Sequence, residues 1–252
     1  MRVRVIVCLT IDNGRLVKTV RFKEPQYIGD PMNAVRIFER KQVDELVLLD
    51  ITATKEGRKP DFDLIEKITE ETFFPFAYGG GITTVDDVRY LIKDLGVEKV
   101  VIRNKALTDL NFIHQLADEF GSQSIVVSLD IIRSFFGQPF YIVNNGLKKK
   151  EDDYSIIEKL QNAGVGEILL RCVDRDGVMN GYDLTMIKTI AIKADIPVIA
   201  CGGCGKFDDF IDAVKIGKAD AVAAGSYFIY QQNGGGVLIQ YPSKDERQRL
   251  TK

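Results

Sequence analysis

A single α/β domain, a (β/α)8 TIM barrel, is predicted for this 252-residue chain by three observations. First, eight short β-branched apolar runs alternate with amphipathic segments from end to end. Second, part of the first half recurs in the second. Pro75-Phe-Ala-Tyr-Gly-Gly-Gly-Ile-Thr-Thr-Val-Asp86-Asp87 returns 122 residues later as Pro197-Val-Ile-Ala-Cys-Gly-Gly-Cys-Gly-Lys-Phe-Asp208-Asp209. Pro75, Gly80, Gly81, Asp86 and Asp87 coincide with Pro197, Gly202, Gly203, Asp208 and Asp209, and Glu45-Leu-Val-Leu-Leu shares the offset with Glu167-Ile-Leu-Leu-Arg. Third, the length suits one α/β barrel, and no low-complexity linker divides the chain. An open doubly wound sheet is the competing architecture, but it does not predict four strands per half. The half-barrel (β/α)4 repeats span about residues 1–122 and 123–230, and residues 231–252 form a divergent C-terminal segment.

The strands are expected at Arg4–Leu9, Glu45–Asp50, Pro75–Gly79, Lys99–Arg103, Ser124–Asp130, Glu167–Cys172, Pro197–Cys201 and Ala219–Ala224. They are apolar along most of their length, as strands covered on both faces should be. Asp30-Pro31 opens the first helix, with Asp as cap and Pro in the first turn, and Ala34, Val35, Ile37 and Phe38 recur on one face. Further helices are expected at about Asp63–Thr72, Val85–Lys93, Asp109–Phe120, Asp153–Ala163, Leu184–Ala194 and Phe207–Lys215.

Composition narrows the partners. A net charge of -2 disfavours a nucleic-acid binder. No apolar run approaches a membrane span or follows a basic start, so neither a signal peptide nor membrane insertion is expected. Four irregularly spaced cysteines fit a reduced, cytoplasmic protein. Cys201-Gly-Gly-Cys204 lacks a paired second motif and the chain has one histidine, so no metal is expected. That histidine, His114, falls in the helix after strand four, away from the strand mouths. No cofactor is expected.

Barrel chemistry collects at the C-terminal ends of the strands. Gly79-Gly80-Gly81 follows strand three, and Gly202-Gly203 with Gly205 follows strand seven. Glycine lets backbone amides approach an anion closely. Arg103-Asn104 and Gly225-Ser226, at the ends of strands four and eight, complete each cradle. The competing reading makes these glycines tight turns alone. Two repeat-related cradles point to a multiply anionic small-molecule substrate.

Asp50-Ile-Thr-Ala-Thr, Gly79-Gly-Gly-Ile, Phe120-Gly-Ser-Gln, Gly164-Val-Gly-Glu-Ile-Leu-Leu, Asp174-Arg-Asp-Gly, Gly181-Tyr-Asp and Ile199-Ala-Cys-Gly-Gly resemble the cyclase subunit family of imidazole glycerol phosphate synthase, over about residues 1–228. The resemblance implies a half-barrel repeat, a bisphosphate substrate and a glutaminase subunit at the N-terminal barrel face that sends ammonia through the barrel. It implies that Gly81, Arg103 and Asn104 hold one phosphate and that Asp176, Gly177, Gly203, Gly225 and Ser226 hold the other. It also implies an ammonia gate of Arg4, Glu45, Lys99 and Glu167, all charge-matched here, with Glu98 and Gln123 near the glutaminase face. The bland alternative for the four charges is a stabilising plug, since opposite charges near a barrel axis must pair.

The family's catalytic aspartates stand at the ends of strands one and five. Asp130 keeps the second, but the first motif, normally Cys-Leu-Asp-Val, reads Cys8-Leu9-Thr10-Ile11. Thr10 cannot act as a carboxylate base; Asp12, two residues on, keeps strand parity higher in the loop. Lys18 matches the family's mobile-loop lysine, and Asp50 is retained as a candidate polar support. Arg103 and Arg171 replace small neutral residues and favour an additional carboxylate or phosphate. Cys172 and Cys201 replace serines, and Val178 a threonine. After Ser226-Tyr-Phe-Ile-Tyr, the run Gly234-Gly-Gly-Val-Leu-Ile-Gln-Tyr-Pro is poor helix material where the family has a final helix.

These departures resemble the divergent paralogues associated with acetamidino sugars. They imply an ammonia-accepting synthase subunit that forms an acetamidino group on a nucleotide-activated sugar, with Asp130 shuttling protons and Lys18 and Arg171 stabilising negative charge. The alternatives are the histidine-pathway cyclase, with Asp12 or water covering for the missing aspartate, and a non-catalytic barrel that activates a glutaminase and delivers ammonia elsewhere.

Overall fold

The computed structural model describes residues 3–133, 139–143, 146–149, 154–230 and 236–251. In chain order the strands are β1 (Arg4–Asp12), β2 (Arg15–Val20), β3 (Lys23–Gly29), β4 (Glu45–Asp50), β5 (Phe76–Gly79), β6 (Lys99–Ile102), β7 (Ile125–Arg133), β8 (Pro139–Val143), β9 (Gly146–Lys149), β10 (Glu167–Cys172), β11 (Val198–Cys201) and β12 (Ala221–Ala224). Parallel pairing runs β10-β11-β12-β1-β4-β5-β6-β7, and a β7–β10 pairing closes the circle. The molecule is therefore a closed eight-stranded parallel barrel with helices between its strands.

The helices are α1 (Pro31–Arg40), α2 (Phe62–Glu71), α3 (Val85–Arg89), α4 (Asn104–Thr108), α5 (Leu110–Phe120), α6 (Ser155–Asn162), α7 (Leu184–Lys193), α8 (Phe207–Lys215), α9 (Ser226–Ile229) and α10 (Lys244–Gln248). Helix α1 starts where its cap signal places it: Asp30 Oδ1 accepts from the Asn33 amide at 2.9 Å, with Pro31 next. Helix α3 passes into a π-helical turn at Tyr90–Asp94. The repeated acidic pair acquires a physical reason here. Asp87 accepts from the Thr83 and Thr84 amides at 3.0 and 2.9 Å, and Asp209 from the Gly205 and Lys206 amides at 2.8 and 3.0 Å. Each carboxylate ties a glycine loop to the helix that follows it.

Strand parity sets which side chains enter the barrel. Ile6, Cys8, Val47, Leu49, Ala77, Val101, Val126, Leu169, Ile199, Cys201, Ala221 and Ala223 form one buried interior cluster. The alternate strand residues pack outward against the helices, in a larger cluster that includes Phe38, Leu48, Tyr78, Phe210 and Phe228.

Two features depart from the expected order of elements. The segment after β1 folds into the antiparallel hairpin β2–β3, and β7 is followed by a second hairpin, β8–β9. The repeat therefore extends to the strand one–helix one connections of both halves. The C-terminal segment carries short helix α10 and returns along the lower edge of the barrel. Tyr241 Oη donates to Val5 O and accepts from the Asp44 amide, Arg247 pairs with Asp44, and the Val3 amide donates to Leu250 O. The glycines at 234 and 235 lie outside the described residues.

Candidate active site

The floor is built from the first residues of β1, β4, β6 and β10. Arg4 pairs with both Glu45 and Glu167, and Lys99 Nζ lies 3.3 Å from Glu45 and 3.1 Å from Glu167. Cations and anions alternate, so every contact in the ring is attractive. The Glu45 side chain is 2% exposed. Burial pushes its carboxyl above the usual range, and Arg4 and Lys99 offset that only in part. Burial opposes the Arg4 charge too, but Glu45 and Glu167 hold its pKa above the ordinary value.

At the opposite end, β7 brings Asp130 between Arg103, just past β6, and Arg171 on β10. Arg103 Nε lies 2.9 Å from Asp130 Oδ2, an ion pair whose angle falls short of a hydrogen bond. Arg171 Nη1 lies 3.9 Å from Oδ1, which also accepts from Ser128 Oγ at 2.9 Å. Burial disfavours the Arg171 charge, yet Asp130 and Asp176 hold it more firmly protonated than a free arginine. Thr10 stands across the barrel from Asp130, since β1 and β7 are four strands apart in the closed order. Its hydroxyl donates to Val17 O at 2.6 Å and is thus committed to the hairpin.

Asp12 ends β1 rather than lying in the loop beyond it; its Oδ1 accepts from Thr52 Oγ1 and Asn13 Nδ2, both at 3.0 Å. Asp50 is one residue out of phase with inward-facing Leu49. Its Oδ1 caps the Thr52 and Ala53 amides at 3.0 and 2.8 Å, and its Oδ2 lies 3.4 Å from Arg58. Asp50 supports the loop that follows β4.

The mouth cavity lies between β1 with its hairpin and the ends of β10, β11 and β12. Its walls include Thr10, Lys18, Arg171, Asp176, Gly203 and Ser226. Hairpin β2–β3 covers it: the Arg21 amide donates to Asp176 O at 2.9 Å, and the Arg171 guanidinium carbon lies 4.2 Å from the Phe22 ring centroid. Lys18 Nζ reaches Cys8 O at 3.3 Å and packs on Gly225. On the first-half side, the Gly81 amide donates to Thr54 Oγ1 at 3.0 Å, beneath the loop after β4.

Cys8 and Cys201 meet in the mouth. A hydrogen bond from Cys201, aided by the charges of Arg171 and Lys18, lowers the Cys8 thiol to about 7 against the effect of burial. The same pairing and burial push Cys201 well above the ordinary range. Burial raises Cys172 to about 11. His114 is exposed on α5, 3.8 Å from Asp118. Among the described residues no cluster of three or more metal-ligating side chains occurs, and no helix is long and apolar enough to cross a membrane.

The structure thus gathers Thr10, Lys18, Asp130, Arg103, Arg171 and the Asp176–Gly177, Gly203 and Gly225–Ser226 segments at one mouth, and the four gate candidates at the other end. Phe22, Thr54, Arg58 and Ser128 were not anticipated. Ser128 alone carried a sequence signal, because it precedes Asp130 by two residues on a strand.

The family model described as histidine biosynthesis protein matches residues 4–233. A putative imidazole glycerol phosphate synthase subunit hisF2 of Pseudomonas aeruginosa is 46% identical over 243 residues, 96% of each chain. A putative subunit hisF3 of Vibrio vulnificus is 42% identical over 251 residues, covering 99% of this chain and 96% of that one. The imidazole glycerol phosphate synthase subunit HisF of Alkaliphilus metalliredigens is 41% identical over 230 residues, 91% of each.

Proposed function

The chain belongs to the histidine biosynthesis protein family, and on that premise we propose that it is the ammonia-accepting synthase subunit of a glutamine-dependent amidotransferase. The reaction assigned is acetamidino-group formation on a nucleotide-activated sugar for surface polysaccharide. The observation that carries this reading is the contrast between the two ends of the barrel. The floor keeps a complete ring of four paired charges. The mouth has Thr10 where the family resemblance implies an acid, and its Asp130 is engaged by two arginines. A route for ammonia is kept while the acid–base pair that normally receives it is altered.

Ammonia from a glutaminase docked at the N-terminal face would pass the ring of Arg4, Glu45, Lys99 and Glu167 and attack the amide carbon. A C–N bond forms and the C–O bond breaks. The oxygen leaves as water or, where an ATP-dependent partner first activates the carbonyl, as phosphate. Lys18 and Arg171 stabilise the developing oxyanion. Asp130 relays protons, with Asp12 at the opposite rim, while the Thr10 hydroxyl, which donates to Val17 O, is left to orient substrate as an acceptor. Gly203, Gly225 and Ser226, with Asp176 and Gly177, hold the phosphate end, and Gly81, Arg103 and Asn104 border the other half of the mouth.

The second reading is the histidine-pathway cyclase, which the name of the Alkaliphilus metalliredigens subunit favours. Loss of one general acid–base group costs about 10²–10⁴ in rate, which weighs against it. The deciding experiment supplies glutamine to the chain with its cognate glutaminase. The histidine-pathway bisphosphate is offered beside acetamido sugar nucleotides, and products are read by mass spectrometry. Replacement of the amide oxygen by NH is expected. Robust turnover of the bisphosphate would sink the proposal, and glutaminase activation without product would make the barrel a non-catalytic conduit. A Thr10→Asp variant that gained cyclase activity would mark lost ancestral chemistry.

A further inference from the structure

The two halves of the mouth are alike in sequence but unlike in what they leave free. On the first-half side the Gly81 amide is already spent on Thr54 Oγ1 at 3.0 Å. A Cβ added at Gly81 would lie 2.7 Å from Arg58 O and 2.8 Å from both Lys59 C and Pro60 N, so the loop after β4 rests directly on this cradle. Arg58 ties that loop to Asp50 and Thr52, and Lys59 ties it to Asp87 at 2.7 Å. Arg103, beside the first cradle in sequence, turns instead to Asp130.

The matching Gly203 amide donates to no described residue, and the mouth cavity opens at this glycine, Gly225 and Ser226, with Lys18 beside them. Arg171 forms another wall. It is 7% exposed, is paired with Asp130 at 3.9 Å and is covered by the Phe22 ring. Its Nε is nevertheless buried without an acceptor. Buried donors are seldom left unpartnered, so this one points to an acceptor brought by a ligand. Asp130, which Arg171 shares with Arg103, and Asp176 on the same side of the mouth together supply two carboxylates for the two guanidiniums. What Arg171 still offers is a polarised N–H in a fixed plane, which suits a neutral carbonyl oxygen.

We infer that this barrel takes a ligand with one phosphate-type end, held by Gly203, Gly225, Ser226 and Lys18, and that Arg171 selects the ligand by donating Nε–H to a neutral amide carbonyl. This deepens the reading of an amide-bearing substrate and rests on it. It differs from the two-ended ligand that the repeat by itself implies. The covered first cradle and the Arg103–Asp130–Arg171 bridge stand in the way of a ligand spanning the mouth with a phosphate at each end.

The test is binding to the full chain by titration calorimetry. The probes are inorganic phosphate, UDP-glucose and UDP-N-acetylglucosamine; in the second sugar nucleotide an acetamido group replaces the sugar 2-hydroxyl. One phosphate per chain is expected, displaced by either sugar nucleotide and lost in Ser226→Asp. The acetamido sugar should bind roughly tenfold tighter than UDP-glucose, the worth of one hydrogen bond from a charged donor. Arg171→Met should erase that preference while changing UDP-glucose affinity less than about twofold, because UDP-glucose has no amide carbonyl to lose the contact. Arg171→Lys keeps a charge beside Asp130 but lacks the fixed Nε–H. It should lose the preference as well, and it serves if the methionine variant fails to fold. Two phosphates per chain, no binding of either sugar nucleotide, or a preference that survives both substitutions overturns the inference. None of these readouts involves glutaminase or turnover, so failure here is separate from failure of the proposed reaction.

Discussion

Asp130 is buried among groups that hold its charge. Its carboxylate has no exposed side-chain surface and is engaged by Ser128, Arg103 and Arg171. Removing one partner of a buried ion pair leaves uncompensated charge, which costs about 3–5 kcal/mol. Asp130→Asn should therefore lower unfolding stability by about that amount, read from the urea midpoint. A carboxylate exposed to solvent and without ionic partners would give an effect near zero. Cys8 offers a second residue-scale test. Its thiol is held at about 7, below the ordinary value, chiefly by the hydrogen bond from Cys201. For an acid this means that the thiolate, the reactive form, appears as pH rises through about 7. Alkylation of Cys8, followed by mass spectrometry across pH, should show its midpoint there. Cys201→Ala removes the largest cause and should move the midpoint upward; an unchanged midpoint would refute that assignment.

Hairpin β2–β3 is the element that decides access to the mouth. Arg21, Phe22 and Glu24 at its tip have φ of 53°, 60° and 51°, a left-handed conformation unfavourable for side-chain-bearing residues. Three contacts hold this tip down: Arg21 N to Asp176 O, Thr19 to Asp176, and Phe22 on Arg171. A cation–π contact is worth about 0.5–2 kcal/mol. Phe22→Ala should accordingly speed hydrogen exchange of the Arg21 amide roughly two- to thirtyfold, while amides in β4 and β5 keep their protection. Equal exchange in both proteins would show that backbone contacts alone seat the hairpin. The hairpin also marks where sequence reading ran short. The eight barrel strands were legible because runs such as Glu45–Asp50 and Glu167–Cys172 are apolar at four of six positions and are flanked by amphipathic helices. Lys23–Gly29 is mostly exposed and carries no apolar alternation, so nothing in its pattern signals a strand. One clue was present: Asn13-Gly14, with φ of 47° and 71°, is the dipeptide that tight hairpins favour. The residues of the mouth were readable as types at strand ends. That Arg103 would turn inward to Asp130, or that Thr54 would occupy the Gly81 amide, depends on side-chain choices that no spacing encodes.

At the scale of the whole molecule, the two ends of the barrel are chemically independent. The interior between them is lined by apolar side chains, Ile6, Val47, Val101, Val126, Leu169 and Ile199 among them. The floor can therefore be altered without touching the mouth. Lys99 is the place to do so: its side chain is 11% exposed, and it meets Glu45 and Glu167 at 3.3 and 3.1 Å. Lys99→Met leaves three charges with a net of minus one and leaves Glu45 with Arg4 as its only ring cation. Loss of a buried partner should reduce stability by about 3 kcal/mol. The functional expectation has a definite sign. If the ring meters ammonia, the variant should still form product from added ammonium salt at the wild-type rate, because Arg171, Lys18 and the second cradle are unchanged. With glutamine as donor, product formed per glutamine hydrolysed should fall. That ratio, measured with the glutaminase present, separates a gate from a plug. A structural plug would lower stability but leave the ratio where it was, since ammonia would then reach the mouth by a route the ring does not control.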